Sequence, residues 1–265
     1  MISLVNLLKE VQNSPKAIIM AGGASVGKST VLRNLDSQLQ GFQNLNADKY
    51  VENPDSPLYR NLGGASAKIK KEDLPQAIES KSNLIYDTTA SNLKTLKPLV
   101  DQLENNGYDV MMIMVYAHPI VSFLRNYKRE RKVPLIGLIS TWVKVYSLIE
   151  DYKNIFGDNF VLVTSPPSSQ EEKDQIEAFQ TAQNQGKLKE YFSDLMSTGD
   201  YQSSFRKDDS TLSPDELEKI QQQREKTQIA TEKSIEDLSQ SFDRIQASLD
   251  PTSIDELPNL ISNFI

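Results

Sequence analysis

The chain has 265 residues, 38% of them hydrophobic, enough apolar material for one or two domains with a real core. It holds no cysteine, which excludes disulfides, a thiolate nucleophile and a Cys-ligated zinc, and its single histidine leaves no second His to build a zinc site. The net charge of −7 is unevenly spread: residues 1–165 carry 19 Lys and Arg against 16 Asp and Glu, whereas residues 166–265 carry 10 against 20, so only the first part presents a field that a polyanion would approach.

The opening "MISLVNLLKEVQ" spaces its apolar residues as an amphipathic helix and lacks the basic start and cleavage site of a signal peptide. "KAIIMAG" (16–22) is a short apolar strand entering a glycine loop, and "KSTVLRNLDSQL" (28–39) follows as a helix with Val31, Leu32, Leu35 and Leu39 on one face. "FQNLNAD" (42–48) is a weaker strand. Residues 52–82 interrupt the alternation, with Gly63, Gly64 and a basic group of Lys68, Lys70 and Lys71, and predict an insertion of short helices at the substrate end of the sheet. "NLIYDTT" (83–89) is the next strand, and 91–107 a helix with Ser91 as cap and Asn-Gly as its stop. "YDVMMIMVYA" (108–117) is the most apolar strand. The segment 119–132, opened by Pro119, and the segment 134–157 predict two helical stretches, and "NFVLV" (159–163) a last strand. His118, between strand and Pro119, reads as a structural turn residue.

Strands alternating with helices of this length predict an α/β domain over 1–165 with a parallel sheet of about five strands. A Pro/Ser-rich junction, "TSPPSSQEEKDQ" (164–175), opens an acidic, mainly helical C-terminal region over 166–265. There Ser213, Pro214 and Glu216 form a capping pattern, and Ile235, Leu238, Phe242, Ile245 and Leu249 step by three and four. That seam spans only about two heptads and predicts packing on the chain's own domain; self-association or a protein partner through 212–265 is the other reading. No apolar run approaches the roughly 20 residues of a membrane helix, so the expectation is a cytoplasmic protein with no membrane contact.

The chemistry begins with "GGASVGKS" (22–29), a full G-x-x-x-x-G-K-[ST] phosphate loop between a strand and a helix. Gly22, Gly23, Ala24, Ser25, Val26 and Gly27 turn successive backbone N–H groups inward on a phosphate. Lys28 supplies a charge for the β- and γ-phosphates of ATP, Ser29 a hydroxyl for Mg2+, and Thr30 lies beside the α-phosphate. Asp48 stands just past the second strand, where a carboxylate can accept the proton of an attacking hydroxyl or cap a turn. Asp87 ends an apolar strand, where it can order Mg2+ or, with the two threonines after it, orient an acceptor. Arg125 and Arg129, four apart, would share a helix face as a lid over the transferring phosphoryl group, with Arg131 close by.

The order "GGASVGKST", "NLNADKY", "LIYDTTASN", "RNYKRERKVP" resembles, over about residues 15–157, the kinase domain of phage-type polynucleotide 5′-kinases, which are related to zeta-toxin kinases. The resemblance implies a P-loop kinase fold, ATP and Mg2+ as cofactors, and a nucleic-acid 5′ end as acceptor. It also implies Asp48 as general base, Asp87 at the acceptor site, and Arg129 on the phosphates with Arg125 in support. That family carries an arginine shortly after the base, contacting the acceptor's 3′-phosphate; Val51 stands in its place here, with Lys49, Arg60 and Lys68 to Lys71 nearby. No D-x-D-x-T occurs, which argues against a 3′-phosphatase. The sequence therefore predicts a kinase acting on a polynucleotide 5′-hydroxyl. A small-acceptor kinase for a nucleotide sugar or nucleoside is the first alternative, and an assembly protein with a vestigial kinase domain the second.

Overall fold

The computed structural model describes residues 14–197 and 214–265; the helix expected over 1–12 and the Ser213 cap lie outside the described residues. Five parallel strands, β1 (Lys16–Ala21), β2 (Gln43–Leu45), β3 (Leu84–Asp87), β4 (Asp109–Tyr116) and β5 (Phe160–Thr164), form one sheet in the order β2-β3-β1-β4-β5. Ala17 sits opposite Leu84 on one side and Val110 on the other, and Met20 opposite Asp87 and Ile113. After its first residue each of β1 and β4 is buried throughout, as expected of parallel strands covered on both faces. The direction of winding reverses at β1, so the loop leaving its C-terminal end opens into the crevice where open α/β sheets bind ligands.

The helix after the glycine loop, α1 (Lys28–Asn34), is shorter than the expected 28–39; irregular turns follow it, yet Leu35 and Leu39 remain buried. A one-turn helix, α2 (Asp48–Val51), follows β2, and the insertion carries the expected short helices: α3 (Leu62–Lys68), a π-helical turn over Ile69–Asp73, and α4 (Leu74–Glu79). Next comes α5 (Leu93–Asn105), whose cap is Asn92 rather than Ser91, its side chain accepting from the Lys94 N–H at 2.9 Å.

The helix that was to carry the lid arginines ends early. Helix α6 spans Pro119–Tyr127, so Arg129 lies in the loop beyond it and does not share a helical face with Arg125. The cause is a reciprocal clasp: Asn126 Nδ2 donates to Val133 O at 2.8 Å, and the Val133 N–H donates to Asn126 Oδ1 at 2.9 Å. The clasp closes 127–132 into a loop. Pro134 disfavours helix at Val133, and continued helix would stack Lys128 on Lys132. The stretch 134–157 is two helices, α7 (Leu135–Tyr146) and α8 (Ile149–Phe156).

Beyond residue 165 come α9 (Gln170–Asn184), α10 (Leu188–Ser197), α11 (Pro214–Ser248) and α12 (Leu257–Phe264). The seam residues Ile235, Leu238, Phe242 and Ile245 are buried in the same hydrophobic cluster as the sheet, with α11 lying along α7. The seam therefore packs on its own chain, as its two-heptad length predicted, with these four residues turned into the core. Thr252, after α11, donates its N–H to Leu162 O at 2.7 Å and bridges to Val163, covering the outer edge of β5. Among the described residues no helix is long and apolar enough to cross a membrane.

Candidate functional site

The glycine loop is built against the sheet. Gly22 has φ +138°, and a Cβ there would lie 2.6 Å from Val115 O on β4, so only glycine fits. The aromatic helix α7 braces the loop from behind: Tyr146 donates to Val115 O at 2.6 Å and Trp142 to Ala117 O at 2.9 Å. Burial keeps the Tyr146 hydroxyl un-ionised by raising its pKa far above the usual tyrosine range.

Lys28 folds back into its own loop. Its Nζ donates to Gly22 O at 3.0 Å and Gly23 O at 3.2 Å, and lies 3.7 Å from Asp87 Oδ1. Ser25, held at φ 59°, has a buried hydroxyl with no hydrogen-bond partner among the described residues. A cradle with its lysine turned inward on carbonyls and an orphan buried hydroxyl fits a phosphate, which would take both. Ser29 and Thr30 are exposed at the start of α1, and Thr30 Oγ1 accepts from Arg33 at 3.2 Å.

Asp87, at the end of β3, converges on this mouth. Burial raises its carboxyl pKa and the nearby Asp48 charge adds to that, while Lys28 and Arg129 oppose it. Asn46, which sequence reasoning passed over, joins the two acids: its Nδ2 donates to Asp87 Oδ2 at 3.1 Å and its Oδ1 accepts from the Asp48 N–H at 2.8 Å. Its sequence signal is weak, an Asn two residues before a helix-starting Asp.

The arginines divide. Arg131, noted in sequence only as a neighbour, is the one that meets the expected base, with its Nη2 at 2.5 Å from Asp48 Oδ1. Arg129 reaches Glu52 Oε1 at 3.3 Å; Arg131 Nε lies 3.8 Å from the same oxygen, beyond hydrogen-bond range. Thus Lys28, Asp48, Asp87, Arg129 and Arg131 share one mouth. Arg125 does not join them as an open lid group: it is bound to Glu172, Ser165 and the Pro166 carbonyl, behind Gly27.

On the acceptor side, Val51 is 2% exposed, so its position presents nothing to a ligand. Beside it Lys49 pairs with Asp73 at 3.2 Å, and the Tyr50 hydroxyl donates to the same carboxylate at 2.8 Å. His118 caps α6, accepting from the Ile120 N–H at 3.4 Å, and its ring lies edge-on to Phe179 and Phe242. Burial lowers its pKa to about 3, so it is a neutral packing residue, as expected of a turn histidine.

Residues 5–137 match the zeta toxin family model, half of the chain, and the chain belongs to that family. It is similar to Toxin PezT of Streptococcus pneumoniae serotype 4 (strain ATCC BAA-334 / TIGR4), 24% identical over 140 residues that cover 49% of this chain and 55% of that toxin, so the match spans only about half of the relative's length. Among solved structures it is similar to the PezAT toxin–antitoxin system of S. pneumoniae, at 16% identity, TM-score 0.46, covering 69% of this chain and 93% of that one. It is also similar to the AvrRxo1-ORF1:ORF2 complex with ATP, at 13% identity, TM-score 0.47 and coverage of 61% and 62%. A third likeness is to the Pnkp1/Rnl/Hen1 RNA repair complex, at 19% identity, TM-score 0.43 and coverage of 52% and 46%.

Proposed function

We propose that this member of the zeta toxin family is an ATP-dependent kinase that phosphorylates a hydroxyl of a small acceptor, such as a nucleoside or nucleotide sugar. The observation that carries the reading is the meeting of Lys28, Asp87 and Asp48 at one mouth, with Arg129 and Arg131 beside them. Asp48 takes the proton of the acceptor hydroxyl as its oxygen attacks the γ-phosphorus and the bond to ADP breaks. For that, its carboxylate must exchange Arg131 for the acceptor. Arg131 and Arg129, planar and always charged, are then free to neutralise the oxygens of the transferring group. Lys28 leaves the Gly22 and Gly23 carbonyls for the phosphates. Ser29 and Asp87 would hold Mg2+, which when bound neutralises charge between the phosphates.

A small acceptor is favoured over a polynucleotide by the charge balance of the mouth. Val51 is buried where a 5′-kinase of the resembling family keeps an arginine, and Lys49, Arg129 and Arg131 are each matched to an acid. Binding a nucleic-acid backbone rests on unmatched basic groups along its track. Labelled ATP offered with nucleosides, nucleotide sugars and 5′-hydroxyl oligonucleotides tests this. Transfer is expected to a small acceptor and to be abolished by Asp48→Asn; transfer to oligonucleotides alone would overturn the small-acceptor reading, and wild-type turnover by Asp48→Asn the base.

A further inference from the structure

Glu172 lies in the acidic C-terminal region, in the first turn of α9, where a carboxylate is ordinarily a solvated group favoured by the helix dipole. Here it is 2% exposed. Its two oxygens take the Arg125 guanidinium as a fork, Nε at 3.0 Å and Nη2 at 3.2 Å, and its Oε2 also accepts from the Ser168 N–H at 2.6 Å and the Ser168 hydroxyl at 3.2 Å. Burial alone would raise its carboxyl pKa, but Arg125 and Ser168 together hold it below the usual carboxylate range. Arg125 spends its other N–H groups on the turn that follows β5: Nη1 donates to Ser165 Oγ at 2.7 Å and Nη2 to Pro166 O at 2.7 Å.

That turn lies against the phosphate loop. A Cβ on Gly27 would come within 2.7 Å of Ser165 Oγ and 3.8 Å of Arg125 Nη1. Gly27 is also where α1 begins, its carbonyl accepting from the Thr30 and Val31 N–H groups at 2.9 and 3.1 Å. Glu172, Arg125, Ser165 and Gly27 thus form a continuous chain of contacts, and its far end comes from outside the segment that matches the family.

We propose that Glu172 is a positioning residue of the nucleotide site: it fixes Arg125 and the 165–168 turn behind Gly27, so that the C-terminal region completes the phosphate loop. The proposal rests on the reading that this loop binds ATP. A bidentate, buried pair of this kind sets geometry as well as charge, and misplacing a phosphate-binding backbone weakens binding without touching the acceptor side.

The test is equilibrium binding of a fluorescent ATP analogue to the full chain, beside urea unfolding. Glu172→Gln keeps the shape but loses the charge and one acceptor, and Ser165→Ala cuts the same chain from its other end. Each is expected to weaken analogue binding at least tenfold, and the double variant by less than the product of the two, because both act through Arg125. Leu195→Ala, a core truncation in α10, is the stability control and should bind within twofold of wild type. Binding by Glu172→Gln and Ser165→Ala within twofold of wild type would overturn the proposal. A wild-type chain that binds no analogue would instead overturn the nucleotide reading beneath it. Should Glu172→Gln fail to fold, Ser165→Ala decides alone.

Discussion

Replacing Gly22 with alanine isolates the contact that shapes the phosphate loop. At φ +138° a non-glycine residue is strained, by about 1–3 kcal/mol. Ordinary carbon contact begins near 3.4 Å, yet the new Cβ would stand 2.6 Å from Val115 O and 3.0 Å from Val26 Cγ2. Neither neighbour yields easily. Val115 lies inside β4 with no exposed surface, and its carbonyl already accepts from Tyr146 at 2.6 Å. Overpacking of such a site adds about 1–3 kcal/mol, so Gly22→Ala is expected to lose roughly 2–6 kcal/mol in all. Gly107→Ala is the control: its φ is +80° at the end of α5, but nothing lies within 4 Å of its new Cβ. It carries only the backbone term, about 1–2 kcal/mol. Urea unfolding of both variants, with binding of a fluorescent ATP analogue, separates strain from contact. Gly22→Ala should be the less stable of the two and should bind the analogue at least tenfold more weakly. Equal losses in stability with unchanged binding would refute the reasoning.

Two further outcomes follow from the packing of the C-terminal region. Phe242→Ala removes a ring stacked on Trp142 and set against Phe179 and His118, and should destabilise the chain by about 3–5 kcal/mol in urea unfolding; a loss below about 1 kcal/mol would mean that α11 is not part of the core. The depressed pKa of His118, about 3 against the usual 6.5, means that the unfolded chain takes up a proton there that the folded chain refuses. Its contribution is therefore complete above pH 6.5 and is lost as the pH falls toward 3, an amplitude of roughly 4–5 kcal/mol. His118→Asn keeps a helix-capping oxygen and should flatten that part of the stability–pH curve; an unchanged slope between pH 4 and 6.5 would place the titration elsewhere.

The sheet and the phosphate loop were legible because their determinants are local. Strands buried on both faces read as unbroken apolar runs, as "VMMIMVY" does, and the loop motif is complete within eight residues. The seam of α11 was legible as an apolar face packing on its own chain, but not the helix it meets or how deeply it is buried. Composition hid it: a stretch ten charges more acidic than basic looks solvated, yet Ile235, Leu238, Phe242 and Ile245 are as buried as the strands. The place where α6 stops was only partly legible: Pro134 and the Lys128–Lys132 spacing argue against helix up to Val133, but not for an end at Tyr127. It depends on the Asn126 amide meeting the backbone of Val133 seven residues on, a contact that no periodicity encodes.

The arginines show how far spacing can carry a site assignment. Two residues four apart share a face only while the helix continues, and α6 ends between Arg125 and Arg129. Each arginine then finds an acid in a different segment: Arg125 meets Glu172 beyond β5, Arg129 meets Glu52 in the insertion, and Arg131 meets Asp48 after β2. The burial of the acid separates the three roles. Glu172 is almost wholly enclosed, so the Arg125 pair is fixed and acts on the geometry behind Gly27. Asp48 and Glu52 have side chains 36% and 50% exposed, so those pairs are cheap to exchange for phosphate and acceptor oxygens. On the proposed kinase reading, a pair that opens for the reaction should be weak and one that holds the loop strong, and the exposed Asp48 and Glu52 pairs and the enclosed Glu172 pair divide in that way.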